Sequence, residues 1–381
     1  MIDYSIIKSQ NRSLILRAFR EKNIIQKKEL SDLLGLSIPT VTTNTRQLLE
    51  EGYIEEVGIA ESTGGRKPVV FKFLKSAKVS FGVDLSPQTA TVIMTNLASE
   101  IIAQNKISVL GMSLDAILET IHSTVDEMLK AHKYQKNDCV GIGLSLPGVV
   151  DDARHMLINA PNLHVKNYDF SRFETTLGLD VFIENEANAS AFAELTMGTA
   201  VNIDDAVYIS ITEGLGCGII AGHKVTKGTF NKAGEFGHMR ISEQDITCSC
   251  GRRGCWEIFA SENALFKHYA GLSGEVISDL ESFFAQYDAG NPLAKLTLSR
   301  YLDNLLIGIE NIMLALDSEI IIIGGEIAQY LRALGPQIED YLEKNHSNIL
   351  SRDNKIVFSI LAPQSAAIGS SLLPLKEMFG Y

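Results

Sequence analysis

Four residues stand at a spacing that suits metal chemistry: His238, Cys248, Cys250 and Cys255, in the order His-x9-Cys-x-Cys-x4-Cys. Three soft thiolates and one imidazole satisfy tetrahedral zinc and leave no position open for water, which makes such a site structural. Gly251 and Gly254 supply the turns the chain needs between ligands. A Cys-x-Cys redox pair and a group of reduced surface thiols are the alternatives. Of the five cysteines three crowd into eight residues, which in a cytoplasmic chain reads as metal or redox chemistry rather than a disulfide framework. Cys139 and Cys217 stand alone in apolar, strand-like contexts and are expected to be buried free thiols.

Other chemistry-bearing residues fall in short motifs. They are Leu146-Pro147-Gly148, Glu184-Asn185-Glu186-Ala187-Asn188-Ala189, Gly234-Glu235-Phe236-Gly237-His238-Met239 and the run from Cys248 to Trp256-Glu257, with Gly324-Gly325-Glu326 further on. Taken singly, each acid reads as a solvated surface charge; jointly they offer carboxylates and amides able to hold a polyhydroxylated ligand.

The elements that must position these groups fall into two regions. Leu14, Ile15, Ala18 and Phe19 have helical spacing within residues 11–22. A second helix fits Lys27 to Leu34, Gly35 makes a turn, and Ser37 caps a third helix with Pro39 in its first turn. This is a helix-turn-helix. The third helix is expected to expose Thr40, Thr42, Thr43, Asn44 and Arg46, short hydrogen-bonding groups and one cation suited to base edges and phosphates. With Ser37 they form the candidate DNA contacts. Strands at residues 53–57 and 69–73 flank a loop ending Gly65-Arg66-Lys67-Pro68, a wing whose Arg66 and Lys67 could enter a minor groove.

After residue 75 strands and helices alternate, so the fold class is α/β. Residues 79–97 and 206–221 each read as strand, turn, strand, which suggests a duplicated, two-lobed body. The expected division is a winged helix-turn-helix over 1–75 and a body over 76–381.

The motifs together resemble the ROK family, the repressors, open reading frames and sugar kinases with an actin-like ATPase fold. The likeness extends over essentially the whole chain and is nearest to the xylose-repressor branch. It implies zinc on the four ligands above. It implies sugar contacts at Gly148, Asn185, Glu186, Glu235, His238 and Glu257, with one ring nitrogen of His238 on the metal and the other toward the sugar. In kinases of the family the position of Glu186 holds an Asp, the general base. The first phosphate loop normally reads Asp-x-Gly-Gly-Thr, where this chain has Asp84-Leu85-Ser86-Pro87-Gln88-Thr89. The second normally reads Gly-Thr-Gly, where this chain has Thr212-Glu213-Gly214. The resemblance therefore implies a sugar-binding repressor without kinase chemistry and without ATP, with a sugar kinase bearing a DNA-binding head as the alternative.

Charge agrees with a local DNA-binding module. Residues 1–75 carry 12 basic and 9 acidic side chains, within a chain of net charge −12. Neither a signal-like apolar run at the start nor a spanning apolar stretch is visible, so a cytoplasmic protein is expected. The expected partners are an inverted-repeat operator, a sugar and a second copy of the chain, as a homodimer or larger homo-oligomer.

Overall fold

The computed structural model describes residues 4–59, 69–345 and 354–381. Arg66 and Lys67 lie outside the described residues. The chain divides into two compact units, one of residues 1–144, 170–182 and 370–381, the other of residues 145–169 and 183–369.

In chain order the head consists of α1 (Tyr4–Lys22), β1 (Ile24–Gln26), α2 (Lys27–Leu34), α3 (Ile38–Glu50), β2 (Ile54–Ile59) and β3 (Val69–Phe73). Gly35, at φ 64°, ends α2 in the left-handed region, and the Ser37 side chain caps α3 by accepting from the Thr40 amide at 3.4 Å. The first helix starts earlier than the sequence suggests. The strand β1 is also unforeseen; it joins β3 and β2 in a three-stranded sheet. Three residues carry too little periodicity to announce a strand. Ile15, Phe19, Leu30, Val41, Leu48 and Phe71 form the buried centre of the head.

The body continues with β4 (Val79–Leu85), β5 (Thr89–Asn96), β6 (Ile101–Ser108), α4 (Leu114–Ala131), β7 (Cys139–Leu146), β8 (Val149–Asp151), β9 (Met156–Ala160), β10 (Val165–Asp169), α5 (Ser171–Leu177), β11 (Val181–Asn185) and α6 (Glu186–Met197). Next come β12 (Ala206–Ile211), β13 (Leu215–Ile220), β14 (Val225–Thr226), α7 (Glu257–Ala260), α8 (Glu262–Ser273), α9 (Leu280–Asp288), α10 (Pro292–Leu316) and β15 (Ile320–Gly324). The chain closes with α11 (Ala328–Leu331), α12 (Gly335–Asn345), β16 (Lys355–Phe358), α13 (Ser365–Leu372) and α14 (Lys376–Phe379).

The duplication is real. One sheet has the order β6-β5-β4-β7-β11 and the other β14-β13-β12-β15-β16, the same order counted along the chain. In each, a three-stranded antiparallel meander comes first. In the second, β15 and β16 then add in parallel. The central strands β12 and β15 are buried along their whole length and read as near-continuous apolar runs, interrupted in β12 by Ser210, as strands covered on both faces do. The sheet β8-β9-β10 was not expected, because its strands are short and only partly buried. Of the two lone thiols, Cys217 is buried and Cys139 only partly so. Burial pushes the Cys139 thiol up to about 12.

Candidate functional site

The metal-type cluster is built on a loop that two kinds of anchor hold. Trp256 is fully buried, its ring donates to the Asn304 carbonyl at 3.0 Å, and its amide donates to Met239 at 2.8 Å. A Cβ on Gly308 of α10 would lie 2.0 Å from the Trp256 ring, so this close approach requires glycine. The indole thus fixes Cys255 before it and Glu257 after it. The loop itself folds back on its own amides, Cys248 to Arg252 at 2.7 Å and Gly251 to Cys248 at 2.9 Å.

His238, Cys248, Cys250 and Cys255 bring their ligand atoms within 4.8 Å of one another. Zinc bonds of about 2.3 Å to sulfur and about 2.0 Å to nitrogen need tetrahedral edges of about 3.8 Å and about 3.6 Å. The Cys250–Cys255 sulfurs lie 3.7 Å apart, and Cys248 Sγ lies 3.5 Å from His238 Nδ1. These two edges match those of a zinc-sized ion, and the chemistry of the donor set fits one. Burial and then the neighbouring sulfurs push the Cys255 thiol up to about 12. A divalent cation is what ionises such a cluster.

The other nitrogen of His238, Nε2, is 3.6 Å from Glu235 Oε2. Glu257 accepts from Cys248 Sγ at 3.5 Å and from the Leu215 amide at 3.3 Å. Asn185 caps α6, its Oδ1 accepting from the amides of Ala187 and Asn188, while its Nδ2 donates to the Gly148 carbonyl at 2.9 Å. Gly148 has φ 96° and sits so close to the Asn159 carbonyl that a Cβ would stand 2.2 Å from it. Glu186 Oε1 accepts from Ser210 at 2.7 Å and Ser190 at 3.4 Å. Its Oε2 lies 3.9 Å from where a Cβ on Gly216 would be, and Glu257 Oε2 lies 2.9 Å from the same point on Gly214. Glu186 and Glu257 thus border the start of β13, and Glu235 and His238 adjoin Glu257 through Cys248. All six sequence-selected polar positions lie in one unit.

Sequence reasoning missed Ser210, Lys227 and the role of Glu184. Ser190 had a signal, since it follows Glu186 by one helical turn. Glu184 is 6% exposed and forms an ion pair with Lys227 at 2.5 Å.

In the head, Ser37, Thr42, Thr43 and Arg46 are exposed and Thr40 half-exposed. Asn44 corrects the expectation: it is buried, and its Nδ2 donates to the Thr40 carbonyl at 2.9 Å. The reason was legible. Val41 and Leu48 point inward one heptad apart, and positions 44 and 45 lie on the face between them.

A family model described as "ROK family" matches residues 80–377. The chain belongs to the ROK family. A winged helix-turn-helix DNA-binding model matches residues 8–55 of this ROK protein. It is 30% identical to the xylose repressor of Bacillus spizizenii, over 98% of this chain and 97% of that one. It is similar to the crystal structure of a ROK family transcriptional regulator, a homolog of the E. coli MLC protein, with TM-score 0.83 and 26% identity over 98% and 97% of the two chains. A ROK family glucokinase from Streptomyces griseus, in complex with glucose and AMPPNP, shares the body fold alone. Its TM-score is 0.69 at 24% identity, covering 77% of this chain and 98% of that one.

Within the ROK body, several amides of the two turns compared above with phosphate loops have partners within the protein. In the first, Ser86 Oγ accepts from the amides of Gln88 at 3.4 Å and Thr89 at 3.0 Å, and the Ser86 amide donates to Thr89 at 2.8 Å. Pro87 has no N–H to offer. In the second, the Thr212 amide donates to Gly214 and the Leu215 amide to Glu257. Burial raises the Glu213 carboxyl above its usual range. Glu262, at the start of α8, is raised to about 7 by burial, then by Glu326 and Glu213. Gly324 persists for packing: a Cβ there would lie 1.9 Å from the Tyr208 hydroxyl. Among the described residues, no helix is long and apolar enough to cross a membrane.

Proposed function

We propose that this chain is a transcriptional repressor that holds operator DNA through its winged head and releases it in response to a sugar bound in the ROK body. The observation that carries the reading is the likeness to xylose repressors over head and body together. The sugar contacts are Gly148, Asn185, Glu186, Glu235, His238 and Glu257, whose carboxylates, amide and imidazole match an array of ring hydroxyls. A pentose of the xylose type is the favoured effector. Zinc on His238, Cys248, Cys250 and Cys255 holds the imidazole ring and the Glu257 loop in place for that recognition. Exposed Thr42, Thr43 and Arg46, with Ser37, Thr40, Arg66 and Lys67, contact the operator, and two copies read an inverted repeat.

The body binds sugar without phosphorylating it. Proton abstraction and phosphate binding both depend on close geometry, and here Ser86 takes up amides of the first turn and an acid stands in the second. The deciding experiment measures operator affinity by fluorescence anisotropy while D-xylose, D-glucose and N-acetylglucosamine are titrated in turn. Release of operator by one sugar supports the reading. Operator affinity indifferent to all three, in protein whose melting temperature none of them raises, overturns it.

A further inference from the structure

Five of the six candidate sugar contacts lie on three separate stretches of chain. Gly148 precedes β8, Asn185 and Glu186 join β11 to α6, and Glu235 and His238 follow the loop that leaves β14. The neighbouring strands β7 and β11 set the Gly148 and Asn185 stretches side by side, whereas the Glu235 stretch comes from the other sheet, so its placement against them depends on further contacts.

One side chain reaches all three stretches. Lys227 lies just after β14, at the start of the loop that carries Glu235. Its Nζ is 2.5 Å from Glu184 Oε2 and 2.6 Å from Asp152 Oδ2. Asp152 follows β8, four residues after Gly148. Glu184 immediately precedes Asn185, and its other oxygen, Oε1, accepts from the Asn185 amide at 2.9 Å and from Asn188 Nδ2 at 3.4 Å. The Glu184 carboxylate is nearly inaccessible to water, and its oxygens are satisfied by the Lys227 ammonium and by hydrogen bonds. Lys227 itself is largely covered. Burial alone pulls its ammonium down, but Glu184 and Asp152 outweigh that and leave it raised. The Glu184 end of the bridge is buried, the condition in which an ion pair constrains geometry, while the Asp152 end stays open to water.

Resting on the sugar-binding reading above, we infer that Lys227 is a positioning residue for the effector site, tying the Gly148, Asn185–Glu186 and Glu235–His238 stretches together through Asp152 and Glu184. It touches no sugar. It sets the distance between the Asn185 cap and the loop that brings in Glu235, and so the span over which hydroxyls must fit.

The test uses the full-length protein. Lys227→Met keeps the stem and removes the charge; Lys227→Met with Glu184→Gln removes both charges, so that no buried ion is stranded; Lys227→Arg keeps a cation able to bridge two carboxylates. Affinity for D-xylose, or for whichever of D-glucose and N-acetylglucosamine the wild type binds, is measured by calorimetry. Zinc content and operator affinity without sugar are measured alongside. Both Met-containing variants should lose at least tenfold in sugar affinity while keeping zinc and operator binding, and Lys227→Arg should recover most of the loss. A general structural role would lower all three readouts together. Sugar affinity within twofold of wild type in either Met-containing variant would overturn the inference, as would a collapse of zinc and operator binding in both. Wild type that binds none of the three sugars would instead sink the effector reading itself, and the inference with it.

Discussion

The Arg20 guanidinium, in the first helix of the head, lies 4.9 Å over the ring of Phe379, in the last helix of the chain. The Tyr381 ring lies 5.6 Å from the same guanidinium, whose Nη2 donates to Ser99 Oγ at 2.9 Å. Burial pulls Arg20 down to about 10, still charged at neutral pH. Alongside, Ser13 Oγ donates to the Glu377 carbonyl at 3.0 Å. Residues far apart in sequence thus seat the head within its unit. Phe379→Ala should cost about 3–5 kcal/mol, as for other buried aromatic truncations. Thermal melts would show this as a lowered first transition, whereas an unchanged melting curve would mean that the packing of this ring contributes nothing.

Zinc is the second expectation. Protein purified without chelators should carry about one zinc per chain, because four ligands close one site. Cys250→Ser should lower zinc content and weaken sugar binding, since it loosens the loop between His238 and Glu257. Metal analysis is decisive: absence of zinc from fresh protein refutes the assignment.

The third concerns catalysis. Calorimetry should detect sugar binding to the wild type, while an ADP-release assay with ATP and the same sugar should stay at background. Glu186→Gln should weaken sugar binding about tenfold, as expected when a charged acceptor of about 1.5 kcal/mol is replaced by an amide. Operator affinity without sugar should persist. Sugar-dependent ADP release at ordinary enzymatic rates would establish a kinase.

Glu262 yields a pH prediction. Its carboxyl is raised from 4.5 to about 7, with Glu326 and Glu213 as the neighbouring charges. The folded state therefore binds the proton more tightly than the unfolded one. That contribution is fully present below about pH 4.5 and is lost as pH rises through about 7. Its size is about 3 kcal/mol. Glu262→Gln should raise the urea midpoint at pH 8 and change it little at pH 5. An equal effect at both values would contradict the cause given.

DNA binding gives the fifth. Arg46 is well exposed on α3, and Arg66 belongs to the segment whose sequence reads as a wing tip. Replacing either by Ala should weaken operator binding and reduce the salt slope by about 0.9 for each phosphate no longer neutralised. Anisotropy titrations across a salt series measure both quantities, and an unaltered slope for Arg66→Ala would remove the wing from the interface.

The sequence by itself determined what depends on residue type and short spacing. The cysteines of the metal cluster lie within eight residues, so their meeting hardly depends on the rest of the fold. The duplicated strand-turn-strand units and the Ser37 cap also followed from local periodicity and turn chemistry. Asn44 was decided by α3 docking on its inward face, a pattern that Val41 and Leu48 already carried and that the polar side chain concealed. Only the tertiary structure decided that Lys227 pairs with Glu184, that Ser210 supports Glu186 and that Phe379 sits beneath Arg20. Each pairing joins residues distant along the chain, where no periodicity links the partners. The burial that makes such contacts strong comes into being only when the sheets and helices close over them.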